Sequence, residues 1–158
     1  MSATMEPIDL RPLLERAKSE GDWQPLVDAI PFAKFLGLSI RVENGVAVCG
    51  MKFDPKLVGN YTIPALHGGT LGSLLESAAV FALFHAQEAA SLPKIITITV
   101  DYLRSARAVD TLATASITKQ GRRVTTVQAI AWQEDRSKPV ASANAHFLLA
   151  PEGDHPQG

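Results

Sequence analysis

His67-Gly68-Gly69-Thr70-Leu71-Gly72-Ser73-Leu74-Leu75-Glu76-Ser77-Ala78-Ala79-Val80-Phe81-Ala82-Leu83-Phe84-His85-Ala86-Gln87-Glu88-Ala89-Ala90 is the stretch on which the fold turns. Nothing from Gly68 to Ala90 breaks a helix, and Leu71, Leu74, Leu75, Ala78, Ala82 and Ala86 recur at helical spacing. At 1.5 Å per residue such a helix would be roughly 34 Å long. Gly72, Ser73, Ala78, Ala79 and Ala82 are small, so neighbours can approach it closely on several sides. Leu92-Pro93 should end it. Its longest unbroken apolar run, Ala78 to Phe84, is far short of the ~20 residues that span a bilayer.

On both sides of this helix the pattern changes to period two. Leu38 to Val42 alternates, and Asn44-Gly45 is a strong two-residue hairpin signal. Val46 to Phe53 then returns as a second strand, stopped by Asp54-Pro55. A loop from Asp54 to Leu66 follows, with Gly59, Asn60 and Pro64. A loop of this length inside a compact domain is often functional. After the helix, Ile95 to Leu103, Thr111 to Thr118, Val124 to Trp132 and Val140 to Leu149 all read as strands. Gln120-Gly121 and Glu134-Asp135-Arg136-Ser137 are the turns between them. The order β-β-α-β-β-β-β predicts an α+β domain, a curled antiparallel sheet wrapped around one long central helix. Two such sheets joined edge to edge would cover their exposed edge strands.

The ends are simpler. Residues 1–30 should form an amphipathic helical extension, broken at Pro12 and Pro25. Leu10, Leu13, Leu14 and Ala17 make one stripe that packs on the body or on a partner subunit. Residues 31–150 form the main domain, and 151–158 a frayed tail. Met1 to Leu10 has no basic n-region or apolar h-region, which predicts no signal peptide.

With 158 residues, 46% hydrophobic and 20% charged, the chain has a globular composition and a one-domain length. Fifteen Lys+Arg against sixteen Asp+Glu give a net charge of −1. A nucleic-acid binder shows a basic excess or stripe, and the only adjacent basic pair here is Arg122-Arg123. Neither nucleic acid nor membrane is an expected partner. Cys49 is the single cysteine, so an internal disulfide is excluded and the cytoplasm is the expected location. It sits in the alternating run from Val46 to Cys49 and reads as a core residue rather than a nucleophile.

The chemistry concentrates where the loop meets the helix. Gly68 and Gly69 open the helix, where free N–H groups and the positive end of the dipole can stabilise an oxyanion. Glycine also lets a substrate approach that backbone. A Gly-Gly helix start is common without any such role. Glu76 is the only carboxylate between His67 and Phe84. In apolar surroundings it either reaches water or has a job, since burying it without a partner is costly. Gly68 and Glu76 are eight residues apart, about 12 Å along one helix. If both act on one carbonyl they come from different chains, which a two-fold dimer of antiparallel helices could supply.

Taken together, these elements resemble the hotdog-fold thioesterases of the phenylacetate-pathway (PaaI-like) type over roughly Ile30 to Leu149. The matching pieces are Val58-Gly59-Asn60, Ala65-Leu66-His67-Gly68-Gly69, Glu76, Ile98 to Ser105, and Gly121-Arg122-Arg123. The resemblance implies hydrolysis of an acyl-CoA with an aryl or a short- or medium-chain acyl group, without metal or cofactor. It implies that the Gly68 N–H polarises the thioester carbonyl and that Glu76 is general base or nucleophile. Asn60 would hold the water or the carbonyl, and His67 would orient the loop or contact the thioester, with Gly69 beside it. Where some members use a Ser or Thr after the helix, this chain has Lys94 and Ile95, with Thr97 nearby. Arg104, Arg122 and Arg123 would lie by the coenzyme A phosphates. The expected assembly is a homodimer, going on to a homotetramer.

Other residues read as structural. His85 follows His67 by eighteen residues, five turns along the same helix, and cannot share a metal with it within one chain. His146 and His155 receive no role, and Trp23 and Trp132 read as packing residues. No HExxH, no Cys/His cluster and no GxGxxG or Walker-type loop is present. Two other functions remain open to this reading. One is a hotdog dehydratase or hydratase on a β-hydroxyacyl thioester, using His67 and Glu76. The other is a non-catalytic acyl-CoA-binding module, against which the presence of Glu76 argues.

Overall fold

The computed structural model describes residues 4–86 and 93–149. Three short helices come first: α1 (Arg11–Glu20), α2 (Gln24–Asp28) and α3 (Pro31–Phe35). Pro12, Pro25 and Pro31 stand in the first turn of their helices. There a missing N–H costs nothing and the fixed φ favours the helix. The prolines thus open these helices rather than break one long one. Leu14 and Ala17 are buried, and Leu10 and Leu13 pack against the same core, so the predicted stripe lies on the body of the protein.

Strands β1 (Leu38–Glu43) and β2 (Val46–Met51) form the predicted hairpin. Asn44 and Gly45 have φ of 51° and 77°, the left-handed pair that a tight two-residue turn requires. The segment read as a loop carries more order than expected. It holds a 3-10 turn, η1 (Pro55–Leu57), and two short strands, β3 (Val58–Asn60) and β4 (Ala65–Leu66), which pair with each other.

The central helix α4 (Gly68–Ala86) follows; the expected continuation to Ala90 and the stop at Leu92 lie outside the described residues. The remaining strands are β5 (Lys94–Tyr102), β6 (Thr111–Gln120), β7 (Val124–Trp132) and β8 (Ala141–Leu148). The six long strands make one antiparallel sheet in the order β1-β2-β6-β7-β8-β5. Helix α4 packs against β2, β6, β7 and β8. Leu71, Leu74, Leu75, Ala78, Ala79, Phe81, Leu83 and Phe84 are buried there, against Ala113, Val127, Ala129, Ala143 and Phe147 among others. By length and composition α4 could cross a membrane, yet its apolar side is filled by the protein's own sheet.

Cys49 is buried in this core, and burial pushes its thiol up to about 12. His85 is also satisfied: Nε2 lies 3.1 Å from the Gly45 carbonyl, and its ring meets Trp23 edge-on. His146 bonds through Nδ1 to Thr126 Oγ1, 3.0 Å away.

Strand β5 contains an irregularity that decides what faces the helix. Ile95 pairs with Phe147 and Thr97 pairs with His146, so Ile96 is an extra residue, a β-bulge. Beyond it Ile98 and Val100 pack against the core. Thr97 and exposed His146 are opposite one another on the outer face, away from α4.

Candidate active site

Backbone hydrogen bonds from two directions fix the junction between β4 and α4. The Leu66 N–H donates to Ala106 (2.9 Å), and the His67 N–H donates to Leu57 (2.8 Å). Gly59 lies so close that a β-carbon there would sit 2.7 Å from His67 Cα. The chain therefore arrives at Gly68 along a fixed path.

His67 caps the helix. Its Nδ1 accepts from the Gly69 N–H at 2.8 Å, and its carbonyl accepts from the Thr70 N–H at 3.0 Å and from Thr70 Oγ1 at 2.6 Å. Because Nδ1 accepts, the neutral ring carries its proton on Nε2. Among the described residues the Gly68 N–H has no acceptor. Helices begin with orphan donors, and here two of them are taken while Gly68 remains open. An oxygen that gains negative charge would find both a free donor and the positive end of a helix of 19 residues.

On the far side of Gly68 stands Tyr102, the last residue of β5. Its hydroxyl donates to the Gly68 carbonyl at 2.9 Å. Its ring fills the space a side chain on Gly68 would need, with Cε1 3.1 Å from that β-carbon position. Sequence reading sought the polar group after the helix near Lys94, Ile95 and Thr97. The structure puts Thr97 on the outer face and brings Tyr102 to the helix start instead. The signal was the step Ile98, Val100, Tyr102, which shares one face of the strand once the bulge is known.

Asn60 ends β3. Its Oδ1 accepts from the Thr62 N–H (3.0 Å) and from Thr62 Oγ1 (2.6 Å). The oxygen is thus occupied, and the Nδ2 amide protons are what Asn60 has to offer.

Glu76 lies two turns further along α4. It is half-buried, and no hydrogen-bond or ion-pair partner for it is present among the described residues. It shares a stripe with Gly69, Gly72, Ser73 and Val80, the part of α4 that the sheet leaves partly open. Ser73 Oγ turns back to the Gly69 carbonyl at 2.8 Å, so its hydroxyl proton is spent within the helix. Gly68, Gly69, His67 and Tyr102 are in contact; Glu76 remains roughly 12 Å from Gly68 along the axis.

The three arginines divide between two ends of the sheet. Arg104 follows Tyr102, and its N–H bonds to the Val140 carbonyl at 3.2 Å. Arg122 and Arg123 form the β6–β7 turn, where the Arg123 carbonyl accepts from the Leu149 N–H. The register of β8 with its neighbours runs from Ala141 at the first end to Leu148 at the second. That separates them by roughly 23 Å at 3.3 Å per residue. All three are exposed.

Comparison with known proteins fits this arrangement. Residues 64–140 match the model of the thioesterase superfamily. The medium/long-chain acyl-CoA thioesterase YigI of Salmonella typhimurium is 31% identical over 134 residues, covering 76% of this chain and 86% of that one. A crystal structure of a Chromobacterium violaceum protein superposes with a TM-score of 0.71 at 41% identity, over 88% of this chain and 97% of the other. The PaaI protein of the E. coli phenylacetic acid degradation operon has the same fold, with a TM-score of 0.70 at 24% identity over 85% and 94% of the two chains.

Proposed function

The chain belongs to the thioesterase superfamily, with the hotdog fold, and from that premise we propose that it is an acyl-CoA hydrolase whose reaction centre is shared between two subunits. The observation that carries this reading is the N–H of Gly68 at the start of α4 and the carboxylate of Glu76 on the partly open stripe of the same helix, neither of which has a partner among the described residues. Water attacks the thioester carbonyl while Glu76 takes its proton. The carbonyl oxygen becomes an oxyanion held by the Gly68 N–H. The C–S bond then breaks, and the proton on Glu76 passes to the departing thiolate, giving free acid and coenzyme A. Alternatively the Glu76 carboxylate attacks the carbonyl and the C–S bond breaks to release the thiolate; water then opens the resulting anhydride, and the proton it gives up neutralises the thiolate. Either route works without a cofactor, because a thiolate is a good leaving group.

Asn60 donates from Nδ2 to the water or the carbonyl, and His67 donates from Nε2–H at the thioester, beside Gly69. His67 Nδ1 is taken by the Gly69 N–H and is not available to accept a substrate proton. This supports hydrolysis over hydration or dehydration. Thr97 sits with His146 on the outer face and would reach a substrate there only beyond the reaction centre.

The separation of Gly68 and Glu76 along one helix supports sharing between subunits. Strand β5 is an edge of the sheet, with Ile96 52% exposed. Antiparallel pairing of two β5 edges would bury it and lay two sheets end to end. It would also set the Arg122-Arg123 turn of one subunit at the same end as Arg104 of the other. The three arginines then form one patch for the coenzyme A phosphates. A homotetramer would be two such dimers. The lone thiol of Cys49 supports a cytoplasmic location.

Thiol release from a panel of acyl-CoAs tests the reading. The native protein should release thiol, and Glu76→Gln should lose about 100-fold or more. Refolding Glu76→Gln together with Gly68→Pro tests the sharing, since proline removes the N–H at the helix start and its ring also displaces Tyr102, both in the half of the site that the Glu76→Gln chain supplies intact. Half the dimers would be mixed with one intact site each, restoring ~25% of native activity. Absence of thiol release from every thioester would overturn the hydrolase, and absence of recovery in the mixture would overturn the shared site.

A further inference from the structure

The Gly68–Gly69 peptide is held at both ends. Tyr102 Oη donates to its carbonyl at 2.9 Å, and His67 Nδ1 accepts from its N–H at 2.8 Å. The result is a continuous chain: Tyr102 O–H to Gly68 C=O, through the peptide to Gly69 N–H, to His67 Nδ1, and across the imidazole to Nε2–H. Hydrogen bonds in series polarise one another, so the Tyr102 hydroxyl strengthens the proton that His67 presents. The same two contacts stop the peptide from rotating. That fixes the direction of the neighbouring N–H, on Gly68.

Resting on the hydrolase reading above, we infer that Tyr102 is a positioning residue, acting through the Gly68–Gly69 peptide to aim both the Gly68 N–H and His67 Nε2–H at the thioester carbonyl. Three further observations bear on this. The ring of Tyr102 lies against Gly68 Cα, where any larger residue would displace it. Its hydroxyl also lies 3.9 Å from a β-carbon position on Gly72, so it spans the first turn of the open stripe. Glycine at 68 and 69 leaves the peptide no side chain of its own to restrain it.

Tyr102→Phe removes the hydroxyl and keeps the ring. An oxyanion donor removed outright costs about 10²–10³ in kcat, so loss of its aim should cost less, about 10-fold. The loss should fall on kcat, with KM within about twofold, because alignment matters most when charge develops on the oxygen. The melting temperature should stay within about 2 °C, and the 13C carbonyl resonance of Gly68 should move. His67→Ala should be non-additive with Tyr102→Phe, the double variant losing less than the product of the singles, because both act on one peptide. A Tyr102→Phe enzyme with native kcat, a loss confined to KM, or strict additivity with His67→Ala overturns the inference while leaving the hydrolase intact. A native protein that releases no thiol overturns both.

Discussion

Gly59 and His67 leave no room between them for a side chain on residue 59: a β-carbon on Gly59 would lie 2.7 Å from His67 Cα and 2.8 Å from its Cβ. The nearest obstruction is the His67 backbone, with the base of its side chain beside it, and that backbone is tied in turn to Leu57 through the His67 N–H. Gly59→Ala must therefore push β3 away from the start of α4. Overpacking of this kind costs about 1–3 kcal/mol. A small misplacement of reacting groups also costs heavily in rate. The expected outcome is a fall of several degrees in Tm and of at least about 10-fold in kcat, read by thermal melting and by thiol release at saturating substrate.

Gly45 provides the contrasting case. Its φ of 77° is strained for any L side chain, yet nothing lies within 4 Å of a β-carbon there. Gly45→Ala should lose roughly 1–2 kcal/mol from backbone strain alone. A denaturant melt should show this loss while kcat and KM stay native.

Those two glycines mark how far sequence reading reached. Asn44-Gly45 between alternating runs is a local signal, and β1 and β2 lie where it places them. The long helix and the four later strands were legible for the same reason, since each carries its own periodicity. The β3–β4 pair was hidden because it is held from outside, by Leu57 and Ala106, and its few residues show no period. Among the candidate site residues, His67, Gly68 and Glu76 were visible from their order along the chain. Tyr102 was not, because an extra residue at 96 breaks the alternation that would have pointed to it.

The exposed arginines make a prediction about substrate form. Arg122→Ala should raise KM about fivefold for an acyl-CoA, since an exposed charge contact contributes about 1 kcal/mol. It should leave KM unchanged for the same acyl group on N-acetylcysteamine, which lacks the phosphates. Steady-state kinetics with the two thioesters at low and high salt measures the difference, which should shrink as salt screens it.

Cys49 gives a pH dependence. Burial raises its thiol from 9.0 to about 12, so the folded state holds the proton where the unfolded chain releases it. Stability is therefore unaffected by this group below pH 9 and falls as the pH rises from about 9 toward 12. Urea melts across that range should show the decline, and Cys49→Ala should flatten it. At neutral pH the native thiol should not react with a disulfide reagent until the protein is unfolded.

The extra residue at Ile96 gives β5 two parities. Up to Ile95 the odd-numbered residues look toward α4; from Ile98 onward the even-numbered ones do. The same nine residues in strict alternation from Ile95 would bring Asp101 under Gly68 in place of Tyr102. A carboxylate would then face a carbonyl that now receives a hydroxyl proton, and the two oxygens would repel. Deleting Ile96 would not cause this, because every later residue would keep its present face and only the kink would go. The chemistry offered to the start of the central helix is thus set by an arithmetic property of the strand, six positions before the residue that delivers it.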